Sequence, residues 1–147
     1  MSHQPAECDA CSPLSWLVID CGIHNAGRRR LSLLAAAVNG REEQLTGEDA
    51  PYEVGMAYYR EVARGQIRGD TAGRLKLIFH RDTRKVLGVH IIGEDASELV
   101  HIGQAVMALD GTIDYFVDAV FNYPTLAECY KVAAFNGLGR LHRYQAG

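Results

Sequence analysis

Two short runs with an apolar residue at every second place do most to limit what this chain can fold into. In residues 74–80, Leu75, Leu77 and Phe79 point one way, and Lys76 and His80 point the other. Residues 86–92 repeat the pattern, with Leu87, Val89 and Ile91 set against Gly88 and His90. A period of two is that of a strand with one buried face. Only the polar link Arg81-Asp82-Thr83-Arg84-Lys85 separates the runs, so they are expected to pair as an antiparallel hairpin. Residues 52–59, with three tyrosines and Val54, read as a further strand.

Helical spacing follows the strands. Asp95-Ala96-Ser97-Glu98 has the form of a helix start, and Leu99, Ile102, Gly103, Val106 and Met107 recur at three and four residues as one apolar face. Gly111 is expected to end that helix, and Thr112 to cap a shorter one reaching Val117. A last helix over residues 125–135 is expected to close at Asn136-Gly137. Upstream, the Ala/Leu-rich residues 31–38 read as a helix stopping at Asn39-Gly40. Strands first and helices after them argue for an α+β fold, an antiparallel sheet with helices on one face.

Composition removes several function classes. The chain has 147 residues, 48% of them apolar, the size of one domain with a single core. A formal net charge of −3 gives no basic footprint for nucleic acid. No apolar run approaches the ~20 residues that span a bilayer, so no membrane partner is expected. The start of the chain lacks a basic segment leading into an apolar one, and four cysteines without an export signal point to reduced thiols in the cytoplasm. Cys8, Cys11, Cys21 and His24 have the spacing of zinc ligands. Neither pair, however, carries the turn glycine and basic residues of a zinc knuckle. The metal expectation is therefore none, with a zinc-binding accessory protein kept as an alternative. Cys129 reads as a small buried hydrophobe.

The segment Phe121-Asn122-Tyr123-Pro124-Thr125-Leu126-Ala127-Glu128 has two readings. Locally, Thr125 and Glu128 form a capping box, and Pro124 biases Tyr123 toward an extended backbone. The second reading is a family signature, and it is not isolated. Arg41-Glu42-Glu43-Gln44-Leu45-Thr46, Pro51-Tyr52-Glu53-Val54-Gly55 and Leu87-Gly88-Val89-His90-Ile91-Ile92-Gly93 belong to the same pattern. So do His101-Ile102-Gly103-Gln104-Ala105, Tyr115-Phe116-Val117 and Ala133-Ala134-Phe135-Asn136-Gly137-Leu138. Over residues 41–141 the chain resembles the C-terminal dimerisation domain of pyridine nucleotide-disulfide oxidoreductase flavoproteins. Within these it looks most like the soluble (Si-specific) NAD(P)+ transhydrogenases.

That resemblance divides the chain into an unmatched leader, residues 1–40, partly disordered, and a dimerisation domain, residues 41–147. Residues 1–37 resemble nothing in the family. A truncated or frameshifted gene, or a start inside a longer reading frame, would account for the mismatch. The family's FAD and NAD(P) domains each open with a strand, a glycine-rich turn and a helix. Gly137-Leu138-Gly139 follows a predicted helix instead and is expected to be a helix stop.

The resemblance also implies roles. It places Asn122, Tyr123 and Pro124 against the partner subunit's flavin in a full-length dimer, with Tyr123 and Glu128 as the catalytic family positions. Disulfide-reducing members carry a histidine where Tyr123 stands, oriented by a glutamate five residues on. An imidazole titrates near neutrality and can serve a thiolate; a phenol, ordinarily near ~10, is poorly suited to that duty. Hydride exchange needs no such proton, so the tyrosine favours transhydrogenation over disulfide reduction. Tyr123 keeps a second reading as an interface aromatic, and Glu128 as a helix cap. His101 and His90 read as packed or surface side chains, with Glu98 a candidate partner for His101. FAD and NAD(P) are the implied cofactors of the full-length family, with none expected for this chain alone. A homodimer is implied, together with the missing nucleotide-binding domains as partners. The alternative to a catalytic part is a stand-alone, non-catalytic homodimerisation module.

Overall fold

The expected hairpin forms, and it lies inside a five-stranded antiparallel sheet. The computed structural model describes residues 17–18, 34–38, 42–47 and 49–147. Its strands are β1 (Leu17–Val18), β2 (Leu34–Val38), β3 (Tyr52–Tyr58), β4 (Arg74–His80) and β5 (Val86–Gly93), in the order β1-β2-β5-β4-β3. The helices are α1 (Glu42–Gly47), α2 (Ala63–Arg68), α3 (Ala96–Ala108), α4 (Asp114–Asp118) and α5 (Glu128–Ala146). Helix α3 lies over β2 and β5, and α5 over β3 and β4. The fold is therefore α+β, as the order of strands and helices predicts. Cys8, Cys11, Cys21 and His24 lie outside the described residues.

One core joins the sheet to its helices. Leu75, Leu77, Phe79, Val89 and Ile91 meet Leu99, Val106, Phe116, Tyr130 and Ala133 there. Burying each large side chain contributes about 1.5–3 kcal/mol. The reverse face holds a smaller cluster in which Leu45 of α1 packs with Val54 and Ile78.

The alternation in the second strand is not as regular as the sequence suggests. Ile78 pairs with Gly88 but Phe79 pairs with Val86, so Leu87 is an extra residue. This bulge reverses the facing of everything before it. Val86 joins Val89 and Ile91 in the main core, while Leu87 packs against the smaller cluster. Leu87 was expected on the same face as Val89; the bulge puts it on the other.

Other expectations need correction. Residues 34–38 form a strand rather than part of a helix, because β5 offers them a ladder from Leu34↔Gly93 to Val38↔Val89. Paired backbone overrides the helix preference of alanine. The last helix begins at Glu128 and runs through Asn136-Gly137 to Ala146. Gly137 does not stop it. A Cβ there would stand 2.7 Å from Phe79 Cε1 and 3.1 Å from Gly55 Cα, so the glycine lets helix and strand approach. Gly139 lies within the helix too, not at its stop.

At the start of α3, Asp95 makes no side-chain cap. Its carboxylate pairs with Arg68, and its backbone takes a positive φ of 57°. Beyond α3, Asp110 rather than Gly111 holds the left-handed position, with φ 54°. The Gly111 N–H closes the end by donating to Val106 C=O at 2.8 Å. Thr112 does not cap α4 with its hydroxyl; it forms a β-bridge with Lys85.

Candidate functional site

The segment between α4 and α5 is held by its own polar groups and by an aromatic stack beneath it. The Thr125 hydroxyl donates to Asn122 C=O at 2.7 Å, and the Thr125 N–H donates to Glu128 Oε2 at 3.4 Å. Only the Glu128 contact of the expected capping box forms, and Thr125 does not cap α5, whose N-cap is Ala127. Glu128 reaches back, but the threonine hydroxyl turns toward the preceding loop instead of the helix. The Tyr123–Pro124 peptide bond is cis.

Phe121 stacks on Tyr130 at 6.5 Å between ring centroids, and Tyr130 on Phe116 at 4.8 Å. The fully buried Tyr130 then reaches α3. Its hydroxyl accepts from the Gly103 N–H at 3.1 Å and donates to Leu99 C=O at 2.7 Å. Those two backbone groups are four residues apart, the pair an uninterrupted helix joins directly. The α3 glycine makes room, since a Cβ on Gly103 would lie 3.0 Å from that hydroxyl. Burial pushes the Tyr130 phenol above its ordinary range.

Tyr123 itself is 70% exposed. It borders an open groove of about 500 Å³ between this segment, the start of α5 and the turn leading into α2. Val62, Val120, Phe121 and Val132 give the groove apolar walls, and Glu61, Glu128 and Lys131 supply charge. Among the described residues no hydrogen bond links the Tyr123 hydroxyl to Glu128. Cys129 is fully buried, and its thiol is pushed up to about 12 by burial, with smaller contributions from Glu61 and Glu128. It behaves as the buried hydrophobe expected of it.

The groove brings Tyr123 and Glu128 to one place, together with residues that sequence reasoning missed. Glu61 and Val62 come from a distant part of the chain, and no local pattern marks them. Val120 is 96% exposed and adjoins the motif; an apolar residue in a loop was the available signal. His101 does not pair with Glu98. Its Nδ1 lies 2.9 Å from Gln104 Oε1.

The described residues do not form a dinucleotide site of the βαβ type. Every strand pairing among them is antiparallel, whereas a pyrophosphate site of the βαβ type needs parallel neighbours. The turn from β5 into α3 carries Glu94 and Asp95, and their carboxylates at a helix start oppose a phosphate. No group of three or more metal-ligating side chains occurs among the described residues. No helix among them is long and apolar enough to cross a membrane.

The family model for the dimerisation domain of pyridine nucleotide-disulphide oxidoreductases matches residues 32–134. The chain belongs to this family. Its relatives include the soluble pyridine nucleotide transhydrogenase of Hahella chejuensis, 55% identical over 109 residues. That match covers 72% of this chain and 24% of the relative. The enzyme of the same name from Photobacterium profundum is 53% identical over 109 residues, covering 72% and 23%. This chain therefore spans about a quarter of the length of the curated relatives it matches.

Among solved structures, LpdA from Mycobacterium tuberculosis superposes with a TM-score of 0.66 at 22% identity, over 70% of this chain and 22% of that one. The HOCl-induced flavoprotein disulfide reductase RclA from Escherichia coli gives 0.65 at 25% identity, over 69% and 23%. The dimerisation-domain fold is thus shared with proteins of much lower sequence similarity.

Proposed function

We propose that this chain is the dimerisation portion of a soluble NAD(P)+ transhydrogenase-like flavoprotein. The assembled enzyme would exchange hydride between NADH and NADP+ through FAD. This chain supplies the two-fold contact and presents residues 122–124 to the neighbouring subunit's flavin. The observation that carries the reading is Tyr123, an exposed phenol at the rim of an apolar groove, where the resemblance gives disulfide-reducing members an imidazole. The identity to transhydrogenases over 109 residues supports the same choice. Exposed Val120, Tyr123 and Phe135 support self-association. By itself the chain is inactive and cytoplasmic.

Two measurements test this. The purified chain should carry no flavin absorbance, should catalyse no NADH-to-NADP+ exchange, and should elute as a dimer by light scattering. Flavin held in stoichiometric amount by this chain alone would overturn the reading. In the second, residues 32–134 replace the matching segment of the Hahella chejuensis relative. The chimera should bind flavin, dimerise and turn over. A flavin-loaded dimeric chimera without turnover would reduce the chain to a non-catalytic interaction module.

A further inference from the structure

Strand β3 ends the sheet, and its outer side is closed in an unusual way. In an antiparallel pair, alternate residues turn their N–H toward the neighbour and the others turn it outward. The Tyr59 N–H reaches Gly73 C=O at 2.8 Å and the Arg81 N–H reaches Pro51 C=O at 2.8 Å. Odd-numbered positions therefore face β4, and Tyr52, Val54, Met56 and Tyr58 face outward. The three from Val54 onward each have a side-chain acceptor. Val54 N–H donates to Glu53 Oε1 at 3.0 Å, Met56 N–H to Asn136 Oδ1 at 3.1 Å, and Tyr58 N–H to Glu61 Oε2 at 2.7 Å. The acceptors come from three places: the strand, α5 and the turn after the strand. The Arg60 guanidinium also lies 4.4 Å from the Tyr58 ring centroid.

We infer that β3 is a strand-pairing edge held shut by Glu53, Asn136 and Glu61, so that self-association is directed to another surface. Tyr52-Glu53-Val54-Gly55-Met56-Ala57-Tyr58 has one charge and no proline, the composition of a strand that recruits another when its edge is open. Strand addition needs outward donors and acceptors in alternation, and here the donors of Val54, Met56 and Tyr58 are occupied. With the three side chains removed, the occupant is β3 of a second copy. Two identical strands pair antiparallel about a two-fold axis and present the same alternation to each other. That self-association occurs at another surface rests on the proposed function; the capping of β3 does not.

The test uses the full chain. A Glu53→Ala, Glu61→Ala, Asn136→Ala variant is compared with a Glu53→Gln, Glu61→Gln variant that keeps Asn136 and all three carbonyl-type acceptors. Light scattering across a concentration series reads the mass, and circular dichroism reads folding. The alanine variant should exceed the parental mass by at least about two-fold, one strand-paired copy for each original assembly, while the glutamine variant keeps the parental mass. An alanine variant that holds the parental mass overturns the inference. Growth of both variants also overturns it, because lost charge rather than lost capping would then be the cause. If the alanine variant fails to fold, amide exchange in the unmodified chain decides. Val54, Met56 and Tyr58 should exchange at least roughly ten-fold slower than in an unfolded chain, and exchange at the unfolded rate refutes the capping.

Discussion

At Gly137 the helix–strand contact has no room for a methyl group, and two residues further on it has plenty. A Cβ at Gly137 would meet Phe79 at 2.7 Å, whereas one at Gly139 finds nothing within 4 Å. Gly137→Ala should therefore destabilise the chain by about 1–3 kcal/mol through overpacking. Gly139→Ala should stabilise it by about 0.5–1 kcal/mol through helix preference. Urea denaturation of the two variants measures both, and equal effects would show that α5 is not seated as described. Cys129 gives a second residue-scale expectation. Its thiol is raised from 9.0 to about 12, chiefly by burial, so the folded chain holds a proton that the unfolded chain releases first. The stability this contributes is intact below pH 9 and is lost as pH rises toward 12. Cys129→Ala should flatten the fall in stability between pH 9 and 10, below the ordinary range of the buried tyrosines. In the native protein at neutral pH the thiol should resist alkylation, becoming reactive only after denaturation.

Among the elements, α3 and α5 are tied by one hydroxyl. Tyr130→Phe removes both hydrogen bonds to the α3 backbone while keeping the rings stacked on Phe116 and Phe121. A loss of about 1–3 kcal/mol is expected, the penalty for leaving buried polar groups unpaired. Unchanged stability would mean that the Gly103 N–H and Leu99 C=O close on each other once the hydroxyl is gone. This tie was not legible in the sequence, where Tyr130 is one aromatic among several in a helical stretch. The hairpin was legible, because alternation over residues 74–80 depends only on local period. The bulge at Leu87 was not, since a single extra residue is defined by the partner strand and not by its own run. The length of α5 was misread for a related reason. Asn136-Gly137 is a stop signal when read locally, but here Asn136 bonds the edge of β3 and Gly137 admits Gly55.

For the whole molecule, the exposed apolar residues around the groove are the surface on which the proposed dimer rests. Val120→Asp places a charge at a site that is 96% exposed in the isolated chain. It should weaken self-association at least ten-fold, about 1.4 kcal/mol, and leave the thermal midpoint of the monomeric species unchanged. Analytical ultracentrifugation reads the first quantity and scanning calorimetry the second. A variant that dimerises as tightly as the parent would move the interface away from the groove.

Strand period and helical spacing were enough to indicate an α+β fold, and the family resemblance spread over residues 41–141 implied a dimerisation domain, because each is carried by runs of neighbouring residues. The groove, the Tyr130 bridge and the capped edge of β3 could be found only in the folded chain. They join Glu61 to Lys131, Tyr130 to Leu99 and Asn136 to Met56. Contacts between such distant positions are decided by how helices seat on a twisted sheet, and linear order carries no record of that.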